Sequence, residues 1–386
     1  MMRANAFANR ETAAYYLQEI HNRAHTDRKM RVLFLVHDPV IWDKQQPVYD
    51  VFAADATVET VIVLVPTYTS TDAAVKKLVG RYDERYWHFF HDRYPDVYDF
   101  TNVLDLRVFA PDYIFLPSPH EGLRPLDGTH TQELAKIAKL CYIAYASPGT
   151  KFFLDSDARM EEFFSHITVH FCDSEEEKLV MESAYPLTVS AGVQHFEDLG
   201  YPCFERYLAE RCTSRSARRI LWTPRWTTQE RIGGSHFFEY KDAFLAFAEK
   251  HGSEKLKFAI RPHPLMFDHF VAEGQMTEQD VADYKAQLAV HDIELDEGND
   301  AAFDTLSATD ILLSDFSSLN MHFFLLDRPM VYCPCSGELA DDFKKILEGC
   351  YVARNWDEAE YHLEHLLRGD DPAAARRREI IAVFRR

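Results

Sequence analysis

Short, continuous apolar runs alternate with amphipathic stretches along most of the 386-residue chain. RVLFLVHDP (31–39), VETVIVLVP (58–66), APDYIFLPSP (110–119), LCYIAYASPG (140–149) and ITVHFCDS (167–174) each read as a buried strand. Runs without polar alternation mark strands covered on both faces, as in parallel sheets flanked by helices. Between them the pattern predicts helices over 10–25, over 47–55, within 72–94, over 131–139 and over 175–184. Turn signals and a charge run interrupt the rhythm over 195–218, and then it restarts. Strands are expected over 219–226, 256–264, 292–296, 310–315, 329–333 and 351–353. Helices are expected over 237–251, 277–290, 300–308, 317–326, 338–347 and 356–368.

This alternation predicts an α/β chain with two doubly wound parallel sheets in tandem. The expected organisation is a first domain over 28–200, preceded by the helix of 10–25, and a second over 215–370. The stretch 371–386 reads as a terminal helix crossing back to the first half. Length agrees, because 386 residues exceed what one ordinary core accommodates.

Composition narrows the function. A net charge of −20 argues against a general nucleic-acid binder, which needs a basic face. Two basic clusters stand out: Arg215, Arg218, Arg219, Arg225 and Arg231, and Arg376–Arg378 with Arg385 and Arg386. Their simplest reading is solvated surface, although the second could touch anionic lipid. The seven cysteines are odd in number and mostly sit in apolar segments, which suits free buried thiols in a reducing compartment. No apolar run is long enough to span a membrane and no secretory signal precedes the first strand. A cytoplasmic protein is expected, with peripheral contact to the inner face of the membrane left open.

Chemistry concentrates at predicted strand ends, where open α/β sheets bind ligands. In SDFSSLNMHFF, Ser317 and Ser318 follow a strand and open a helix, where unpaired N–H groups favour an anion. The simpler account is that Asp315 or Ser317 caps the helix. In Arg261-Pro262-His263-Pro264 two prolines stiffen the backbone that carries an Arg and a His, a pairing suited to phosphate oxygens. Thr223-Pro224-Arg225-Trp226 ends another strand and precedes Gly233-Gly234. All three fall at one edge of the second sheet, which points to a diphosphate-bearing ligand. Asp155-Ser156-Asp157 looks like a metal-binding pair but sits in a polar loop and reads as a turn.

GYPCFER (200–206), LWTPRWTT (221–228), the His-Pro of RPHP and ATDILLSDFSSLNMHFFLLDRPMVYC occur in the order of four motifs of a known family. The chain resembles the CDP-glycerol glycerophosphotransferases of teichoic-acid and capsule-type polymer synthesis, well over 220–333 and more loosely before. The resemblance implies a GT-B fold, two Rossmann-like domains facing across a cleft. It also implies a CDP-polyol donor held mainly by the second domain and a polymer or glycan acceptor. His263 would then contact donor phosphate, and Asp315, Ser317 and Ser318 would form the diphosphate pocket. Arg225 and Arg261 join them by position. No cofactor is required, and Mg²⁺ is compatible.

Two departures qualify the match: His322 stands where many members carry an acidic residue, and Ala146-Ser147-Pro148-Gly149 replaces a His-Gly pair. The general base is therefore sought among first-domain histidines at strand ends, His37 and His120, whose residue type titrates near neutral pH. A sugar-nucleotide glycosyltransferase of surface polysaccharide synthesis is the alternative enzyme, and a non-catalytic nucleotide-binding or scaffold protein the alternative class.

Overall fold

The computed structural model of the protein describes residues 28–68, 76–103, 105–146, 149, 154–155, 160–210, 218–229, 234–297, 302–334 and 338–384. The expected helix of 10–25, Asp157, Arg215, Arg231, Gly233 and the last two arginines lie outside them. The chain divides into two compact units: Met1–Ser147 with Phe153–Cys203, and Pro148–Phe152 with Phe204–Arg386.

The first unit is built on β1 (Met30–Val36), β2 (Val58–Leu64), β3 (Thr67–Tyr68), β4 (Leu78–Val79), β5 (Val97–Asp99), β6 (Tyr113–Leu116), β7 (Lys139–Ile143), β8 (Val169–Cys172) and β9 (His195–Asp198). Seven of these form a parallel sheet in the order β5-β2-β1-β6-β7-β8-β9. Its central strands are the fully apolar runs: Val32–Leu35 and Ile114–Leu116 are sealed from solvent, because helices cover both faces.

The second unit holds β10 (Arg218–Thr223), β11 (Leu256–Ile260), β12 (Ile293–Leu295), β13 (Ile311–Ser314), β14 (Met330–Tyr332) and β15 (Tyr351–Val352). They pair in parallel in the order β12-β11-β10-β13-β14-β15. This is the doubly wound order 3-2-1-4-5-6, and the first sheet repeats it, with β9 added as a seventh strand, once the antiparallel ribbon β3–β4 is set aside. The order reverses between β1 and β6 in one unit and between β10 and β13 in the other. Chains leaving these neighbouring strands in opposite directions open a crevice at their carboxyl ends. Trp222, Phe237, Phe244, Phe258 and Phe270 pack the core beside β10 and β11.

Three expectations change. The long helix within 72–94 is a short one, Glu84–His91. Ahead of it Leu78–Val79 pairs with Thr67–Tyr68, and Gly80 takes a φ of +80° that ends any helical run. The helix assigned to 47–55 instead starts at Pro39 and carries Pro47 inside it. The Asp38 carboxylate caps that earlier start, accepting the Val40 N–H at 2.7 Å. Within the interruption at 195–218, His195–Asp198 is an edge strand of the first sheet.

The terminal helix Ala374–Phe384 is anchored within the second unit. Its buried Arg377 pairs with Asp371 at 2.5 Å and Asp327 at 3.2 Å. Arg376 pairs with Glu348 and Arg378 with Asp327, so this basic run is neutralised locally. Cys141, Cys172, Cys203 and Cys333 are buried and Cys350 half-buried, and none of the five is in a disulfide. Among the described residues, no helix is long and apolar enough to cross a membrane.

Candidate active site

In the second unit the switch point is assembled around Asp315, the first residue beyond β13. Asp315 is fully buried. Its carboxylate accepts the Arg225 N–H at 3.0 Å, the Ser235 hydroxyl at 2.9 Å and the His236 N–H at 3.3 Å. It also lies 2.9 Å from Nδ1 of His236. One side chain therefore ties the end of β13 to the loop after β10 and to the start of helix Phe237–His251. Burial alone would lower the pKa of His236. The hydrogen bond and charge of Asp315, with Glu239, outweigh it and the net shift is upward. The ring stacks on Tyr240 with centroids 5.0 Å apart. The switch point thus holds an imidazole that is readily cationic, oriented by a buried carboxylate.

Arg225 is buried beside it. Its guanidinium donates to the Phe316 carbonyl at 3.0 Å and lies over the Phe316 ring. Arg261, beyond β11, donates to Asp296 at 2.7 Å and to the Thr305 hydroxyl at 3.2 Å. Its charge is balanced inside the fold, so it shapes the floor of the strand end. His263 keeps solvent contact as a residue, but its ring is crowded by Trp226. Desolvation, and then the Arg225 charge, lower its pKa. Nδ1 of His263 accepts the Leu265 N–H at 3.2 Å, which leaves Nε2 as the edge for a ligand.

Ser317 and Ser318 are half-buried. The Ser317 hydroxyl accepts the Leu319 N–H at 3.2 Å, a turn bond. The Ser318 hydroxyl makes no hydrogen bond to the described residues. Helix Leu319–Phe324 is only six residues long, too short for a strong dipole to carry anion binding by itself. Beneath it, Ser314, Thr223 and Asn320 form a buried hydroxyl–amide knot at 2.6–2.7 Å that clamps β10 to β13. His322 is part of the packing: Nδ1 lies 2.9 Å from the Ser318 carbonyl, and the ring meets Phe204 and Tyr207 edge-on. A carboxylate at that position would face a carbonyl oxygen within apolar walls. The replacement of an acidic residue by His322 is thus accompanied by a neighbourhood built for an imidazole.

In the first unit, His37 follows β1 and His120 follows β6, so the two expected histidines flank the switch point of their sheet. His37 is buried, and its Nδ1 has no hydrogen-bond partner among the described residues. Desolvation first, then the charges of Arg124 and His120, push its pKa down to about 3. That value makes it a poor base. His120 is half-buried, its pKa lowered by desolvation and by Arg124. Its Nε2 lies 3.1 Å from the Tyr145 hydroxyl at the end of β7. Arg124 is committed to the loop, donating to the Ser118 carbonyl at 2.9 Å and the Thr129 carbonyl at 3.0 Å.

Ser235, His236 and Tyr145 join these sites without any local signal in the sequence. His236 opens helix Phe237–His251, but its partner lies 79 positions further on. Tyr145 stands one residue before the Ala146–Gly149 stretch that replaces the His-Gly pair, and only its contact with His120 draws attention to it.

Residues 200–336 match the family model described as CDP-Glycerol:Poly(glycerophosphate) glycerophosphotransferase. No curated protein matches the chain. Among solved structures, a UDP-GlcNAc 2-epimerase from Neisseria meningitidis bound to UDP-GlcNAc shares 13% identity at a TM-score of 0.55, covering 90% of this chain and 94% of that one. A UDP-N-acetylglucosamine 2-epimerase from Listeria monocytogenes shares 12% identity at 0.57, covering 90% of each chain. A variant of the wall teichoic acid polymerase TagF shares 12% identity at 0.50, covering 99% of this chain and 92% of that one. At these identities the likeness is one of fold, and the fold is of the GT-B type.

Proposed function

We propose that this chain, whose residues 200–336 match the glycerophosphotransferase family model, transfers a glycerol-phosphate or related polyol-phosphate unit. The donor is a CDP-activated polyol, and the acceptor is a hydroxyl group on a cell-surface polymer of teichoic-acid or capsule type. The carrying observation is the Asp315–His236 pair with Arg225 at the β10/β13 switch point, where doubly wound sheets take nucleotide ligands.

In this reading the acceptor hydroxyl attacks the β-phosphorus of the donor. The bond from that phosphorus to the bridging oxygen breaks, and CMP leaves with the electron pair. His236, Arg225 and Nε2 of His263 counter the charge that builds on the phosphate oxygens, and the Ser318 hydroxyl donates to one of them. Asp315 touches no substrate; it positions His236 and the loop after β10. Arg261 positions the end of β11. Within the first unit, His120 is the candidate base for a hydroxyl proton, with the Tyr145 hydroxyl 3.1 Å from its Nε2. It is preferred to His37 because its pKa is less depressed and its ring is less buried. The chemistry needs no group beyond these side chains, and Mg²⁺ on the diphosphate is compatible with it. Membrane contact, if it occurs, would arise at the acceptor rather than through the neutralised helix Ala374–Phe384.

The test is a donor screen on the purified chain with a glycerol-phosphate-terminated acceptor. CMP release from CDP-glycerol is expected, falling at least about tenfold in His236→Ala, His263→Ala, Ser318→Ala and His120→Ala. Release of a nucleoside diphosphate from a sugar nucleotide, with no CMP from CDP-glycerol, would move the chain to the glycosyltransferases. Undiminished turnover in the four variants would overturn the site assignment.

A further inference from the structure

A concentration of metal-ligand side chains lies at the end of β8, away in sequence from the switch-point residues. His170 and Cys172 are two positions apart on this strand, so their side chains leave the same face. Helix Glu175–Ala184 begins just beyond, with Ser174 as its cap and Glu177 in its first turn. One oxygen of Glu177 accepts the Asp173 N–H at 2.8 Å, which fixes the carboxyl group. The other lies 3.4 Å from Nε2 of His170. The three potential ligand atoms lie within 4.8 Å of one another, and all three residues are buried.

The surroundings favour a cation. Asp198 is the strand partner of Cys172 across the β8–β9 pairing, and the Asp173 carboxyl is hydrogen-bonded to Glu177. Tyr142, Phe164 and Phe196 surround the His170 ring and hold its orientation. Cys172 alone would pass as a core residue. An imidazole, a thiol and a carboxyl converging on one point are the mixed donor set that zinc-class ions take. His251, Glu360 and Glu364 also lie close together, but the Lys250 ammonium already sits 3.0 and 2.9 Å from those two carboxylates.

We propose that His170, Cys172 and Glu177 hold a zinc-class divalent ion as a structural site of the first unit. The ion binds neutral Nε2 of His170, the thiolate of Cys172 and the carboxylate of Glu177, with water or Asp173 in the fourth position. A thiol ligand gives up its proton to solvent when the ion binds. The site is independent of the transferase reading.

The experiment strips the full-length chain with a chelator and titrates it with Co²⁺. A near-ultraviolet thiolate-to-cobalt band is expected to saturate at one ion per chain and to disappear on adding Zn²⁺. It should be absent in Cys172→Ser and shifted to at least about tenfold higher Co²⁺ in Glu177→Gln. No band in the wild type, or the same band in Cys172→Ser, overturns the proposal. Should Cys172→Ser fail to fold, thermal melting decides: Zn²⁺ should raise the melting temperature of the wild type more than that of Glu177→Gln. Equal shifts in both overturn the proposal.

Discussion

Asp315→Ala removes the fastener of the second unit's switch point. The carboxylate is inaccessible and serves four donors: two backbone N–H groups, one hydroxyl and the His236 imidazole. Deleting one partner of a buried, hydrogen-bonded pair costs about 3–5 kcal/mol, because the remaining partner keeps its desolvation without compensation. Loss of the two backbone acceptor contacts falls within that range rather than adding to it in full, since the freed loop can reach water. Asp315→Asn keeps the shape and loses the charge, so about 1.5–3 kcal/mol is expected. The pH dependence follows from the raised pKa of His236. A group whose folded pKa exceeds its unfolded value stabilises fully below the unfolded value, about 6.5 for His, and loses that stabilisation as pH rises through the folded value. The gap between wild type and Asp315→Asn should therefore be widest below about pH 6.5 and narrow above the His236 pKa. Hydrogen exchange of β10 and β13 amides reads this locally, which matters in a two-unit chain that need not unfold in one step. Exchange in Asp315→Ala within about 0.5 kcal/mol of wild type, or a gap independent of pH, would refute the role given to Asp315.

Three further outcomes are expected. His37 is held neutral with a pKa near 3, so wild-type stability should fall by up to about 4 kcal/mol between pH 6.5 and 3 as the unfolded chain takes up the proton; His37→Gln should remove that slope in urea melts across pH. His322→Glu places a carboxyl beside the Ser318 carbonyl and two aromatic rings and should destabilise the second unit by at least about 3 kcal/mol, measured by denaturant midpoint, with His322→Gln milder. Gly149→Ala would bring a Cβ to 2.9 Å from the rings of both Phe316 and Phe343, and a cost of about 1–3 kcal/mol should appear as a lower melting temperature.

The amino-acid sequence by itself determined the strands buried on both faces. β1, β2, β6, β7, β10, β11 and β13 are all legible from the apolar runs at their centres, because helices cover both sides of a parallel sheet. It also placed Arg225, His263 and Ser317–Ser318 at strand ends, since a strand followed by a turn marks where a sheet stops. β5 and β9 escaped notice because they are edge strands, short and partly polar, with only one neighbour to satisfy. What the tertiary structure alone decided are the long-range pairings. That Asp315 serves His236 and that Tyr145 meets His120 are facts of chain crossing, not of local pattern, whereas His170, Cys172 and Glu177 converge within a single strand-turn-helix. His322 shows the difference most plainly: in sequence it is a departure from a family pattern. In the fold it is a packed imidazole, because Phe204 and Tyr207 arrive from more than a hundred residues away to enclose it.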